Sequence, residues 1–291
     1  MDSLLKKYKH SKKTNRYLMP KRIISLLLIF AFFISCKTVP ITGRKQFTLV
    51  SDAQLLPMAF QQYQGFLQQH KVSSNIEMTN QVKSVGKRIS GAVDRYMRAN
   101  GMTDKANQYR WEFNLIEDKT INAWAMPGGK TVFYTGIMPI AKNVDGVAAI
   151  MGHEVAHAFA RHGAERMTSG MLQQAGGLAV ALATGNKDPR QRQMWMMAYG
   201  VGSQLGMLKF SRTHETEADK LGVVFMIMAG YEPSESVNVW IRMSQRAGAG
   251  KAPPEILSTH PSNQTRIKAL KEWIPKAKVI AKKLNAQTLT N

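Results

Sequence analysis

The stretch Gly152-His153-Glu154-Val155-Ala156-His157 carries the most specific chemistry in the chain. On a helix, side chains four residues apart project from one face, one turn apart. His153 and His157 can therefore share one zinc ion. Glu154 lies about 100° around the helix from His153. That sets its carboxylate beside the metal, where it can take a proton from water. A motif this short needs a helical context. Val147, Ile150, Met151, Val155 and Phe159 supply one, recurring at helical spacings in an alanine-rich run. Asn143 suits the N-cap and Asp145 the first turn. No proline interrupts the run before Pro189.

A second constellation follows about sixty residues later. A helix is predicted to open near residue 210 and to continue to 229, with Glu215 and Asp219 one turn apart on one face. Taken alone, they would as readily pair with Arg212 or Lys220 on a solvated face. Placed after H-E-x-x-H they complete a gluzincin pattern. Glu215 becomes the third zinc ligand, and Asp219 accepts the free imidazole N–H of a ligand histidine, His153, fixing its tautomer. Cys36 is the only cysteine, so the metal must be held by histidine and carboxylate. His214 directly precedes Glu215 and points elsewhere. His162, five residues past His157, is expected on the far, exposed side of the helix. His260, before Pro261, is a candidate for stabilising an oxyanion or gating the site, with Arg266 beside it. A loop histidine bonded to backbone is the competing reading of His260.

Other elements must position these residues. Helices are predicted over residues 53–70, behind Ser51 and Asp52, and over 75–97, where Val82, Val85, Ile89 and Val93 form one stripe. Residues 109–117, 121–126 and 131–135 read as strands, separated by turns at Asp118-Lys119 and Pro127-Gly128-Gly129-Lys130. The strand Asn122, Ala123, Trp124, Ala125 and Met126 is a candidate edge that holds an extended peptide by strand addition; an ordinary core hairpin is the alternative. Residues 168–208, rich in Met, Gly, Ala and Gln, read as a helix pair broken at Gly185-Asn186-Lys187-Asp188-Pro189. Met194, Met196, Met197 and Met207 are assigned to core packing ahead of a substrate groove. The fold class is α+β: a mostly helical zincin with a small β-sheet beside the H-E-x-x-H helix.

At 291 residues with 44% hydrophobic content, the chain can bury one catalytic core. Residues 1–22 are basic and 23–34 apolar, too short a run for a comfortable membrane span. Cys36 follows directly, as in a lipoprotein signal, although Phe33 stands where an aliphatic residue is usual. Met19 is an alternative start. The expected organisation is a signal peptide over 1–35, a Pro/Gly-bearing tether over 36–50 and a metallopeptidase domain over 51–291. The net charge is +21, of which residues 1–35 hold eight Lys/Arg and one acid. The remaining cations are scattered and no nucleic-acid-binding motif accompanies them. A solvated basic surface, or attraction to an acidic membrane face, is expected; no nucleic acid partner is.

The motifs together give the chain a resemblance. It is similar to the zinc metallopeptidase family of the CAAX prenyl endopeptidase and HtpX, and most similar to the soluble periplasmic, lipoprotein-type branch. The resemblance rests on Val39-Pro40-Ile41-Thr42-Gly43-Arg44-Lys45-Gln46, Asn122-Ala123-Trp124-Ala125-Met126-Pro127-Gly128-Gly129 and the H-E-x-x-H stretch. It also rests on Ser211-Arg212-Thr213-His214-Glu215-Thr216-Glu217-Ala218-Asp219, on Ser258-Thr259-His260-Pro261-Ser262, and on Arg266-Ile267. It implies one zinc per chain on His153, His157 and Glu215, catalysis by Glu154, and support from Asp219. It implies a metalloendopeptidase acting on proteins or peptides of a Gram-negative cell envelope, in quality control of misfolded or misassembled proteins. Lipidation of Cys36 would anchor it to a membrane from the periplasm. A non-proteolytic zinc-bearing chaperone or assembly factor is the alternative.

Overall fold

The computed structural model of the chain describes residues 36–248 and 264–290. The signal-peptide expectation for residues 1–35 and the expectation for His260 lie outside them. Two short strands, β1 (Cys36–Thr38) and β2 (Lys45–Phe47), pair first. Helix α1 (Asp52–Gln69) starts where the Ser51 amide donates to Gln54 Oε1 at 3.3 Å. Helix α2 (Ile76–Ala99) is capped by Asn75, whose side chain accepts from the Met78 amide. It buries the predicted stripe of Val82, Val85, Ile89 and Val93. A short α3 (Thr103–Gln108) leads to three strands, β3 (Glu112–Ile116), β4 (Ala123–Met126) and β5 (Lys130–Tyr134). The sheet order is β3-β5-β4, with β3 parallel and β4 antiparallel to β5. That leaves β4 on an edge.

After a 3-10 turn and α4 (Met138–Ala141), the chain enters α5 (Val144–Phe159). Asn143 caps it, accepting from the Gly146 amide at 2.7 Å. Every residue from Gly146 to Phe159 is buried, so this helix is the centre of the core. The last carbonyls of an α-helix have no partner within it. Here Tyr109 Oη, Lys105 Nζ and Gln46 Nε2 donate to the carbonyls of Ala158, Phe159 and Ala160 at 3.1, 3.1 and 2.8 Å. Three separate segments thereby fix the end of the helix that bears the motif.

Helices α6 (His162–Ala183) and α7 (Pro189–Met228) follow, then α8 (Glu235–Gly248) and α9 (Gln264–Thr290). The break between α6 and α7 falls where expected, with Asp188 capping Pro189 at the first helical position. The expected restart near residue 210 does not occur. Residues 189–228 form one helix of 40 residues, because no Gly or Pro between 207 and 221 interrupts it. Residues 37–50 are not a free tether. Val39, Gln46, Thr48 and Val50 are buried against the body, because Arg44 and Gln46 satisfy charges and carbonyls inside it. The methionines of α7 depart from expectation too: Met194, Met196 and Met197 are exposed, since this half of the helix extends beyond the core.

Helices α5 and α7 cross at two glycines. A Cβ on Gly152 would stand 2.8 Å from the Gly222 carbonyl oxygen, and one on Gly222 2.9 Å from the Gly152 carbonyl carbon. Backbone meets backbone, which brings His153 on one helix within reach of Glu215 and Asp219 on the other. Gly222→Val should push the helices apart. The expected cost is about 1–3 kcal/mol, read as a lower Tm together with a loss of bound metal per chain. An unchanged Tm and full metal content would contradict the close crossing.

Candidate metal centre

The ligand atoms converge in the core. His153 Nε2 and His157 Nε2 lie 3.1 Å apart. Glu215 Oε2 is 3.2 Å from His153 Nε2, and Glu215 Oε1 is 3.4 Å from His157 Nε2. Tetrahedral zinc with bonds of about 2.0–2.1 Å separates its ligand atoms by about 3.3 Å. The three side chains therefore stand at zinc-ligand spacing, and all three are buried. An N₂O donor set of imidazole and carboxylate suits zinc.

The outward nitrogens of both histidines are occupied, which directs both Nε2 lone pairs inward. His153 Nδ1 lies 3.1 Å from Asp219 Oδ1, the partner expected from the sequence. His157 Nδ1 lies 2.8 Å from His162 Nδ1, and His162 Nε2 lies 2.9 Å from Glu217 Oε2. The network fixes the tautomers. His162 Nε2–H donates to Glu217, so a neutral His162 accepts at Nδ1 from His157 Nδ1–H. Burial, with the neighbouring His157 and His214, holds His162 well below the ordinary histidine range, consistent with that neutral state. At His153, burial opposes the charged form, but Asp219 and Glu215 outweigh it and raise the imidazole to about 9. The site thus favours positive charge, and a metal that binds there displaces a proton.

His162 is where the sequence reading failed most clearly. It is not exposed on the far side of the helix but fully buried. The helix ends at Phe159, and Arg161 adopts φ +59°, a left-handed conformation that turns the chain back. Glycine and asparagine usually mark such a turn; an arginine gives no signal. Arg161 is held there by Asp52, at 2.6 Å, and by Thr48 and the Val50 carbonyl.

Arg266 is buried beside the ligands. Its Nε and Nη2 donate to Asp219 at 2.8 and 2.7 Å, and its Nη1 stands 3.2 Å from Glu215 Oε2. The guanidinium also lies over the Trp240 ring, 4.0 Å from its centroid. These contacts join Arg266 to the metal-binding side of the site. Burial alone would raise the Asp219 carboxyl, but Arg266 and His153 bring it below its usual range.

Behind the ligands lies a second buried cluster that sequence reasoning missed. Arg44 reaches in from the segment between β1 and β2. Its Nη1 and Nη2 meet Glu165 at 2.9 and 2.6 Å, and its Nε meets Glu217 Oε2 at 2.7 Å. Thr42 donates to Glu217 as well. His162, Glu165 and His214 also converge closely enough to hold a metal. However, Glu165 Oε2 already accepts from Arg44, from His214 at 2.9 Å and from Gln46 at 3.2 Å. That saturation makes the cluster a hydrogen-bonded brace. The signal available in the sequence was the alternate polar residues Thr42, Arg44 and Gln46 leading into a short strand, which only the distant Glu165 and Glu217 explain.

Glu154 is buried and lines a cleft of about 370 Å³ together with Asn122, Trp124, Ala125, Tyr134 and His157. The structure thus brings the edge strand β4, the catalytic candidate and a metal-ligand candidate to one opening.

The fold and the site together define a metal-dependent peptidase of the H-E-x-x-H class. The model of peptidase family M48 matches residues 83–274, and the chain belongs to that family. It is 33% identical over 252 residues to the mitochondrial metalloendopeptidase OMA1 of Schizosaccharomyces pombe, covering 85% of this chain and 69% of that protein. It is 35% identical over 192 residues to the Saccharomyces cerevisiae protein of the same name, 62% of this chain and 52% of that one. It is 26% identical over 243 residues to the beta-barrel assembly-enhancing protease of Escherichia coli, 81% of this chain and 47% of that protein. The last two matches thus take in about half of the relative's length.

Two predictions follow from the brace. His162→Phe removes the acceptor of His157 and should weaken zinc binding about 10–100-fold, measured by competition with a chelating dye; undiminished affinity would exclude the orienting role. The second concerns Glu165. Burial raises its carboxyl, but hydrogen bonds from His214 and Arg44 bring it from 4.5 down to about 2. A depressed folded-state value contributes stability above the unfolded value, and that contribution is lost as pH falls through the folded one. Wild-type Tm should therefore drop from pH 4.5 toward pH 2. Arg44→Met should begin roughly 3–5 kcal/mol less stable at neutral pH and show a shallower acid limb. Parallel Tm-against-pH curves for the two proteins would refute the assignment.

Proposed function

We propose that this protein is a zinc-dependent endopeptidase of the bacterial cell envelope, acting on misfolded or misassembled envelope proteins. The observation that carries the reading is the buried His153, His157 and Glu215 set at zinc-ligand spacing, with Glu154 beside it on a cleft bordered by an edge strand. Zinc held there supplies Lewis acidity and brings the pKa of water to about 7. The protein does the rest. Asp219 and His162 keep the two imidazoles in the ligating tautomer. Glu154 takes the proton of the attacking water and passes it to the leaving amine. The edge of β4, which pairs with no further strand among the described residues, offers backbone donors and acceptors to an extended substrate, aligning a scissile bond along the cleft. Recognition through backbone favours unfolded chain over any one sequence, which suits a quality-control protease.

The envelope assignment draws support from the bacterial relative named for β-barrel assembly. It is also supported by the basic and apolar stretch before Cys36. On this reading, Cys36 carries the lipid that anchors the protein on the periplasmic side of a membrane.

The test is metal content paired with cleavage of casein by the full chain and by Glu154→Gln. One zinc in each protein, with cleavage lost by at least 10³-fold only in the variant, is the expected result. Equal cleavage by both would remove Glu154 as the base. One zinc in each with no cleavage by either would favour a non-proteolytic envelope assembly factor.

A further inference from the structure

The distal halves of α6 and α7 form a helical hairpin that leaves the core. In α6 the buried residues end at Thr168, and in α7 they begin only at His214. The hairpin is closed on itself by Tyr199 Oη donating to the Gln173 carbonyl at 2.6 Å and by Gln173 Nε2 donating to Ser203 Oγ at 3.0 Å. Its outer surface is apolar. Met167, Met171, Leu178 and Leu182 make one exposed stripe on α6 at helical spacing. Met194, Met197, Val201, Leu205 and Leu208 make another on α7, with Leu182 75% and Met194 63% exposed. Trp195 stands beside the second stripe and is 53% exposed.

The charge pattern says what covers this surface. No Asp, Glu, Lys or Arg occurs between residues 167 and 186, nor between 193 and 208, in a chain that is 20% charged. Each arm therefore runs uncharged for about 24–30 Å. The cations sit only at its two ends: Lys187, Arg190 and Arg192 at the tip, and Arg166, Lys209 and Arg212 at the base, all exposed. Asp188 is the single exposed acid among them. A second copy packed on these stripes would bring six cations onto six with almost no acid to answer them. A layer of lipid phosphates would supply that missing charge while the acyl boundary would take the methionines and leucines. Trp195 beside the apolar stripe has the amphipathic ring favoured at such a boundary. No described helix is long and apolar enough to cross a membrane, which fits a hairpin lying along the surface.

We propose that the α6–α7 hairpin is a membrane-contact surface, seated flat on a bilayer face that contains anionic phospholipid. The full chain is mixed with vesicles of phosphatidylcholine and phosphatidylglycerol whose acyl chains carry bromine, and tryptophan fluorescence is compared with Trp195→Phe. The wild-type-minus-variant signal isolates Trp195, an exposed position whose exchange leaves the core intact. The expected result is a Trp195 signal quenched at least twofold by the brominated lipid, with the quenching reduced in the Lys187→Gln, Arg190→Gln, Arg192→Gln variant. A Trp195 signal untouched by brominated lipid overturns the proposal in either form. If the signal becomes shielded from acrylamide as protein concentration rises, the hairpin is a self-association surface. If it stays open to acrylamide, the hairpin faces water. Undiminished quenching in the triple variant would overturn the anionic-lipid part.

Discussion

Burial of charge is the constraint on which the rest of this structure depends. Glu154, Glu165, Glu215, Glu217 and Asp219 are all removed from water, together with His153, His157, His162 and His214. Isolated carboxylates in such surroundings cost several kcal/mol each unless paired. The fold answers with two arginines brought from opposite ends of the described chain. Arg44 neutralises Glu165 and Glu217 behind the site, and Arg266 neutralises Asp219 and Glu215 at its side. A metal held by His153, His157 and Glu215 would carry the remaining positive charge. Much of the architecture serves these placements: the glycine crossing of α5 and α7, the left-handed turn at Arg161, the buried Gln46 of strand β2 and the return of α9.

The two ligand histidines receive unlike support. His153 leans directly on a carboxylate, while His157 leans on another imidazole that leans on a carboxylate. A charged Asp219 raises the basicity of His153 strongly. His153 is thus held directly by an anion and His157 through an intervening ring, and His157 is the one that lines the open cleft.

Local chemistry was legible in the sequence and long-range closure was not. The H-E-x-x-H helix, its Asn143 cap, the α2 stripe and the three strands follow from spacing alone, because periodicity reports which face of an element is buried. The Glu215 and Asp219 pair was legible only as the sequel to H-E-x-x-H, since its one-turn spacing alone fits a solvated face as well. His162 was misread because a non-glycine left-handed residue ends the helix at a point where nothing in the local sequence marks a stop. The role of residues 37–50 was misread because a polar, Pro- and Gly-bearing stretch resembles a linker; its purpose lies in partners more than a hundred residues away. The exposed methionines of α7 were assigned to the core because composition reports hydrophobicity and says nothing of where a long helix leaves the body.

The reach of the Arg44 and Arg266 contacts has a consequence for the life of the chain. Arg44 meets carboxylates 121 and 173 residues downstream, and Arg266 meets one 47 residues upstream. No contiguous fragment that lacks either end can balance the charges of the site. A chain that lacks either end therefore leaves carboxylates of the site without their arginine, and the centre is complete only when the first strands and the last helix are both in place.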